Sequence, residues 1–155
     1  DLGEIVRESV ELARQRFHLD PMSLAYDQRV TSDRPIVLGD PEELRGAIWN
    51  LIDNAVKYSS GDVQFRVALE QIEGQRLAVR VSDSGVGISP SELKRIFRRF
   101  YRIPASVAMR TKGSGLGLFI VRSVARKHGG RAFAESEGAG RGSTFTLLLP
   151  LALEA

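Results

Sequence analysis

The chain has 155 residues, 43% of them hydrophobic and 26% charged, with a formal net charge of +3, values that fit one globular domain with a sizeable core. The absence of cysteine excludes a disulfide framework and a cysteine metal site, and the two histidines, His18 and His128, lie too far apart in sequence to indicate zinc. No apolar run approaches the roughly 20 residues that a membrane-spanning helix needs, and the first residues do not resemble a signal peptide. Because the chain starts without an initiator Met, we expect it to be part of a longer protein.

The first part of the chain predicts a helix followed by short strands. Residues 2–17 have an approximately helical apolar stripe that Asp1 can cap, and the Asp-Pro pair at 20–21 ends it. Strand-like runs follow at 24–26 and 36–38.

A second helix begins at a strong start signal. Asp40 is a favourable N-cap, Pro41 suits the first helical position, and Glu43 lies where a capping box requires an acid. We therefore predict a helix from residue 40 to about residue 58.

One face of this second helix has unusual chemistry. Asn50, Asn54, Lys57 and Tyr58 fall on one side at about 100° per residue. The opposite side is apolar and is formed by Leu44, Ile48, Leu51, Ile52 and Ala55. Two amide oxygens, a cation and an aromatic ring, followed along the chain by two glycine clusters, indicate a magnesium–nucleotide site.

The rest of the chain predicts hairpins and two more helices. Alternation predicts antiparallel strands at 62–70 and 76–83, and a final hairpin is expected from 131–136 and 143–149. Short and long helices are expected at 90–97 and 116–128, and the aperiodic segment 103–114 reads as a mobile loop. This order favours a two-layer α/β sandwich over a doubly wound parallel fold.

The cluster G-S-G-L-G at 113–117 is a glycine-rich entry to a helix. It is not a dinucleotide fingerprint, because residue 118 is Leu and no strand precedes it, and the chain contains no P-loop motif. The free N–H groups at the start of a helix suit phosphate, although glycines that merely form a flexible turn would give the same pattern.

The cluster D-S-G-V-G at 83–87 directly follows a predicted strand. Asp83 at the strand end can accept a hydrogen bond from an exocyclic amine, or it can cap its own backbone in an ordinary turn. Both interpretations stay open from the residues alone.

Seven basic residues and no acidic ones occur between residues 94 and 112. They are Lys94, Arg95, Arg98, Arg99, Arg102, Arg110 and Lys112. A solvated helix face explains such a run, but its position between the two glycine clusters favours a cationic rim that faces a polyphosphate.

Taken together, these segments resemble the catalytic domain of sensor histidine kinases. N-L-I-D-N-A-V-K-Y-S at 50–59 is similar to the N box, D-S-G-V-G-I at 83–88 to the G1 box, I-F-R-R-F-Y-R at 96–102 to the F box, and G-S-G-L-G-L at 113–118 to the G2 box. R-G-S-T-F at 141–145 resembles the strand that closes the site. The resemblance covers about residues 1–150 and implies the GHKL, or Bergerat, ATP-binding fold: a mixed, mostly antiparallel sheet of about five strands backed by three helices.

The resemblance implies roles for residues at the phosphate end of the site. Asn54 would ligate Mg²⁺, Asn50 would lie beside the phosphates, and Lys57 would offset their charge. Arg102 would reach the γ-phosphate, with Arg99 as a second cation. The glycine-rich lid, about residues 99–116, would contribute hinge and phosphate contacts through Gly113, Gly115, Leu116 and Gly117.

At the other end, the resemblance implies contacts to the nucleoside. Tyr58 would pack near it, and Asp83 would accept from the adenine amino group and so select ATP over GTP. Gly85 and Gly87 would let the backbone approach the base, next to Ile88, and Thr144 would help to hold the adenine edge. Phe97 and Phe100 would anchor the base of the lid in the core.

Two positions bear on the type of reaction. Arg98 stands where these kinases commonly have an acid, which makes the base of the lid more basic. Asn50 stands where the hydrolase relatives, type II topoisomerase and MutL ATPases among them, place a general-base Glu four residues before the metal-binding Asn. An amide cannot take a proton from water near neutral pH, so the sequence favours transfer to histidine over hydrolysis or serine phosphorylation.

The phosphoacceptor would lie outside this chain. His128 and His18 occur at helix ends and are ordinary structural choices, and the family's acceptor histidine lies on an upstream dimerisation domain. We therefore expect a fragment, residues 1–155, that is a monomer, binds Mg-ATP and does not phosphorylate itself. The full-length protein would be a homodimer on the cytoplasmic side of a membrane, with a response regulator receiver domain as its partner.

Two other function classes remain open from sequence. A non-catalytic, nucleotide-gated interaction module would bind a partner without transferring phosphate. Nucleic-acid binding is conceivable from the basic charge, but the chain lacks interleaved surface aromatics, and we expect no such partner.

Overall fold

Five strands form one mixed sheet, and helices cover one of its faces. The computed structural model describes residues 1–59, 61–103 and 114–153. The α-helices within these residues are α1 (Leu2–Arg16), α2 (Pro41–Lys57) and α3 (Gly117–Lys127). The strands are β1 (Leu24–Arg29), β2 (Phe65–Ile72), β3 (Arg76–Asp83), β4 (Arg131–Glu135) and β5 (Ser143–Pro150).

The strand order is β1-β2-β3-β5-β4. β1 pairs with β2 in parallel, and all other pairings are antiparallel. In the register of β3 and β5, Asp83 lies opposite Ser143 and Ser82 lies opposite Thr144. Asp83, at the end of β3, therefore lies beside the start of β5.

The core lies between the sheet and the helices. Successive strand residues point to opposite faces, so in β3 Leu77, Val79 and Val81 are fully buried against the helices while Arg80 and Ser82 face the other way. The five apolar residues predicted for the inner face of α2 are all buried. The sequence prediction of a two-layer sandwich with a mostly antiparallel sheet of five strands is thus confirmed.

Both N-terminal helices begin where the sequence predicts. The Asp1 carboxylate accepts from the Glu4 amide at 3.0 Å, and the Asp40 carboxylate accepts from the amides of Glu42 and Glu43. The reciprocal half of the predicted capping box is absent, because the Asp40 amide donates to Nε2 of His128 at 3.1 Å instead. The C-terminal end of α3 is thereby fastened to the N-terminal end of α2, and the two helices pack antiparallel.

Two predicted elements are wrong. Residues 36–38 are not a strand: Ile36 accepts a hydrogen bond from the Ala152 amide, but the segment joins no ladder and Leu38 is 87% exposed. Residues 90–97 are turns that end in a single 3-10 turn, Arg95–Phe97, rather than a helix.

Most of the predicted loop at 103–114 lies outside the described residues. No helix in the described part of the chain is long and apolar enough to cross a membrane.

Candidate functional site

The polar face of α2 forms one wall of the site. Asn50 and Asn54 are both half-buried, and each is directly followed in sequence by a buried residue of the helix, Leu51 and Ala55 respectively. The Lys57 ammonium lies 2.7 Å from the carboxylate of Asp53, a residue that sequence reasoning did not single out. Tyr58 is the C-cap of the helix, so its carbonyl is available to the next loop.

The start of α3 lies against this wall. A Cβ placed on Gly117, the first residue of α3, would be 3.4 Å from Oδ1 of Asn50. The helix has no side-chain cap at its N-cap residue, Leu116. The first turn of α3, with the positive end of the helix dipole, therefore lies next to the Asn50 side chain.

Gly115 packs tightly against the F-box segment. Its carbonyl accepts from the Phe100 amide at 3.0 Å, and with φ at +74° an added Cβ would be 2.8 Å from the Phe100 carbonyl carbon. A side chain at residue 115 is thus disfavoured by both space and conformation. Gly113, the other predicted glycine of this cluster, lies outside the described residues.

Residues 83–88, which we call the base loop, form the opposite wall. Val86 donates its amide to the Tyr58 carbonyl at 3.3 Å, and a Cβ on Gly85 would be 2.2 Å from that same oxygen. On the other side, Gly87 has φ at +70°, and a Cβ there would be 2.0 Å from the carbonyl of Gly138. The two glycines allow the base loop to lie between the end of α2 and the β4–β5 connection.

Asp83 is held by two neighbours. Oδ1 accepts from the Gly85 amide at 2.9 Å, and Oδ2 accepts from the Ser143 hydroxyl at 3.0 Å. Burial raises the pKa of this carboxyl above its ordinary value, while the hydrogen bonds from Gly85 and Ser143 act in the opposite direction. The Asx turn that sequence reasoning weighed as the ordinary alternative is therefore present, and it orients the carboxylate.

Ser143, not Thr144, lies beside Asp83. The Thr144 hydroxyl is 2.9 Å from that of Ser82, on the sheet face opposite to the helices, whereas Ser143 shares the helix-covered face with Asp83. The structure does not bring the predicted Thr144 hydroxyl to the site. Strand alternation relative to Asp83 was the signal that could have selected Ser143.

The F-box residues divide between the core and the surface. Phe97 is buried, as predicted, and its ring packs at 64° to the ring of Phe145. Phe100 is 61% exposed and has φ at +62°, so its predicted role as a core anchor is wrong. The Arg99 guanidinium lies over the rings of Phe100 and Phe119, and Arg102 is half-buried. The basic residues 110 and 112 lie outside the described residues.

The arrangement joins motifs that are distant in sequence. Asn50 meets Gly117, Tyr58 meets Gly85, and Asp83 meets the start of β5. Within the described residues, no group of three or more His, Cys, Asp or Glu side chains could hold a metal ion. A divalent cation in this site would therefore have to be coordinated by amide oxygens, by water and by oxygen atoms of the ligand that binds together with it.

Residues 39–153 match the family model described as histidine kinase-, DNA gyrase B-, and HSP90-like ATPase. The chain belongs to this ATPase family. Its relatives identify the branch: it is 40% identical to the sensor-like histidine kinase SenX3 of Mycobacterium tuberculosis over 158 residues, which cover 100% of this chain and 37% of that protein. It is 39% identical over 130 residues, 84% of this chain and 25% of the relative, to the histidine-protein kinase/phosphatase MprB of Mycolicibacterium smegmatis.

Solved structures agree with this assignment. The mycobacterial sensor histidine kinase MprB matches with a TM-score of 0.79 at 32% identity, covering 99% of this chain and 97% of that one. Full-length ShkA in complex with AMPPNP matches with a TM-score of 0.77 at 31% identity, covering 100% of this chain and 31% of that one. The ATPase-family domain described here is therefore the catalytic domain of a histidine kinase, an ATP-binding enzyme domain of two-component signalling.

The chain is only part of what these kinases contain. It spans between 20% and 38% of the length of the first curated relatives.

Proposed function

We propose that this domain binds Mg-ATP between α2, the base loop and the start of α3, and donates the γ-phosphoryl group to a histidine on an upstream dimerisation domain. The observation that carries the proposal is the convergence of Asn50, the uncapped start of α3 and Asp83 on one end of the sheet. The AMPPNP complex of ShkA, which matches over this whole chain, supports an ATP-shaped ligand.

The donor set at the phosphate end fits Mg²⁺. Asn54 offers a neutral, hard oxygen from a half-buried position, and no cluster of acidic side chains competes for the ion in the described residues. Mg²⁺ commonly takes one or two protein ligands and completes its shell with phosphate oxygens and water. When bound, the ion would neutralise phosphate charge, and Asn54 is the residue that would hold it.

The phosphates would meet further positive groups. The first N–H groups of α3 lie next to Asn50, and anions bind well at such helix ends. Lys57, one turn beyond Asn54 and Asp53, would add charge neutralisation. Arg102 and Arg99 would extend this positive field from the F box toward the γ-phosphate, together with the lid, residues 99–116.

The base would lie against Asp83. Its carboxylate, oriented by Gly85 and Ser143, would accept from the exocyclic amine of adenine, a group that guanine replaces with a carbonyl oxygen at the same position. Two acceptors facing each other repel, which would give selectivity for ATP.

Phosphotransfer is favoured over hydrolysis by residue 50. An Asn side chain positions a ligand but does not take a proton from water, so the site would accelerate transfer by orientation and charge stabilisation. The same position argues against the ATPase and serine kinase alternatives. A histidine on an upstream dimerisation domain, followed by a response regulator receiver domain, would be the successive acceptors.

Further proposals concern the whole protein. We propose a homodimer on the cytoplasmic side, where ATP is available, anchored in the membrane by segments outside this chain. The isolated domain, residues 1–155, would be a monomer that does not bind nucleic acid.

Transfer of label from γ-labelled Mg-ATP tests the proposal. We expect the isolated chain to retain no label, and the same domain extended by its own upstream segment to become labelled on histidine, with loss of labelling in Asn50→Ala. Stable label on the isolated chain, or steady release of inorganic phosphate without any acceptor, would contradict the assignment.

A further inference from the structure

The hydroxyl of Ser136 joins the base loop to the connection between β4 and β5. It accepts from the Ile88 amide at 3.0 Å and from the Gly138 amide at 3.2 Å, and it donates to the Gly142 carbonyl at 2.7 Å. A serine hydroxyl has one proton and two lone pairs, so these three bonds use its capacity, with the Gly138 carbonyl at 3.4 Å as a more distant second acceptor for the proton.

The base loop and the β4–β5 connection form one packed unit. Two backbone hydrogen bonds accompany the Ser136 contact: the Gly140 amide to the Val86 carbonyl at 2.8 Å, and the Gly142 amide to the Gly85 carbonyl at 3.2 Å. The Ser136 hydroxyl adds a side-chain contact to these backbone bonds, and this contact holds Ile88, the end of the base loop farthest from Asp83.

The start of the base loop is held by the end of α2 and by Asp83. Val86 donates to the Tyr58 carbonyl, and Asp83 caps Gly85. The loop is therefore held at its start by α2 and Asp83 and at its end by Ser136. Because Ile88 is 7% exposed, loss of the Ser136 hydroxyl would leave a buried N–H group without its acceptor.

We propose that Ser136 is a positioning residue of the nucleotide site: its hydroxyl sets the conformation of the base loop from behind, without touching the nucleotide. This inference rests on the proposed function, because the loop's ligand is the base of ATP. We expect a substitution of Ser136 to change the contacts to the base and not those to the phosphates, since Ser136 acts on residues 85–88 and not on α2 or α3.

The test is calorimetry of Mg-ATP and Mg-ADP on the wild-type chain, Ser136→Ala and Ser136→Thr. We expect Ser136→Ala to weaken both nucleotides by a similar factor of about tenfold, because the base is common to both and one buried hydrogen-bond network is lost. Ser136→Thr keeps the hydroxyl and should restore most of the affinity. Ser82→Ala is the matched control, since it removes a hydroxyl that bonds Thr144 on the far face of the sheet, and it should bind nucleotide as the wild type does.

Hydrogen exchange of the Ile88 amide supplies a second measurement that needs no nucleotide. The wild-type amide should be protected, and in a folded Ser136→Ala chain it should exchange faster while amides in β2 do not. Unchanged nucleotide affinity in Ser136→Ala, a loss confined to ATP, or an unprotected wild-type Ile88 amide would overturn the role of Ser136. Absence of nucleotide binding by the wild-type chain would instead overturn the proposed function itself.

Discussion

Asp83 combines a proposed role in nucleotide binding with a cost to folding. Burial raises its pKa above the ordinary carboxyl value, so the folded chain holds this proton more tightly than the unfolded chain does. The stabilising contribution of protonation is complete below the unfolded pKa and is lost as the pH rises through the folded one. At neutral pH the ionised carboxylate is therefore a net burden on the apo domain.

Asp83→Asn should separate stability from binding. The amide keeps an acceptor for Gly85 and removes the buried charge, so we expect an unchanged or higher melting temperature at neutral pH, with the advantage over wild type shrinking toward acid pH. Affinity for ATP should fall by about ten- to a hundredfold, since a charge-assisted hydrogen bond to the base is lost. Thermal unfolding at several pH values, together with calorimetry, checks both effects; a clearly less stable variant at neutral pH would contradict the role of burial.

At the residue scale, sequence reasoning named the strand that lies beside Asp83 but chose the wrong residue of that strand, Thr144 instead of Ser143. The spacing of Asn50, Asn54 and Lys57 was readable because helical periodicity is strong in a long helix. Thr144 was preferred to Ser143 because the choice depends on which face of β5 meets Asp83, and that is set by the cross-strand register. Phe100 was misplaced because a positive φ turns its ring away from the core, which composition does not reveal.

At the scale of elements, His128 fastens α3 to α2. Its Nδ1 lies 2.7 Å from the Val124 carbonyl, which can only accept, so Nδ1 carries the proton and Nε2 accepts from the Asp40 amide. Gly39 fits closely against the ring, since a Cβ there would be 2.2 Å from the imidazole. The Glu43 carboxylate does not form the capping-box hydrogen bond and instead forms an ion pair with Nζ of Lys127 at 2.6 Å.

His128→Ala should reduce the free energy of unfolding by about 2–3 kcal/mol, because it removes a buried ring and with it the hydrogen bond from the Asp40 amide that joins α3 to α2. Chemical denaturation measures this loss. Ser123→Ala, which removes an exposed hydroxyl bonded to Phe119 on the same helix, should cost far less. Equal losses in the two variants would mean that His128 does not fasten the helices.

Element boundaries were predictable where both capping and periodicity were present. The predicted range of α3, 116–128, differs from the observed helix by one residue at each end, and the structure buries Val121, Val124 and Ala125 of this helix. Apolar residues occur on both sides of this short helix, so periodicity alone did not choose between them. The His128 contact joins residues 88 positions apart, and no local pattern encodes it.

At the scale of the whole molecule, the site is assembled by topology. The end of α2, the end of β3 and the starts of α3 and β5 meet at one end of the sheet, although they are far apart in the chain. Alternation predicted which segments are strands, but not the order β1-β2-β3-β5-β4 or the parallel pairing of β1 with β2, because period-two patterning does not name the partner strand. Family resemblance supplied the mixed sheet and the order of the boxes.

The central claim is that the polar face of α2 holds Mg-ATP, and calorimetry on the wild-type chain and Asn54→Ala tests it most directly. We predict Mg²⁺-dependent binding by the wild type and a loss of at least about tenfold in the variant, because an oxygen ligand of the ion is removed. Ser123→Ala should bind as the wild type does. Equal binding by wild type and Asn54→Ala, or binding that does not depend on Mg²⁺, would contradict a nucleotide site on this helix.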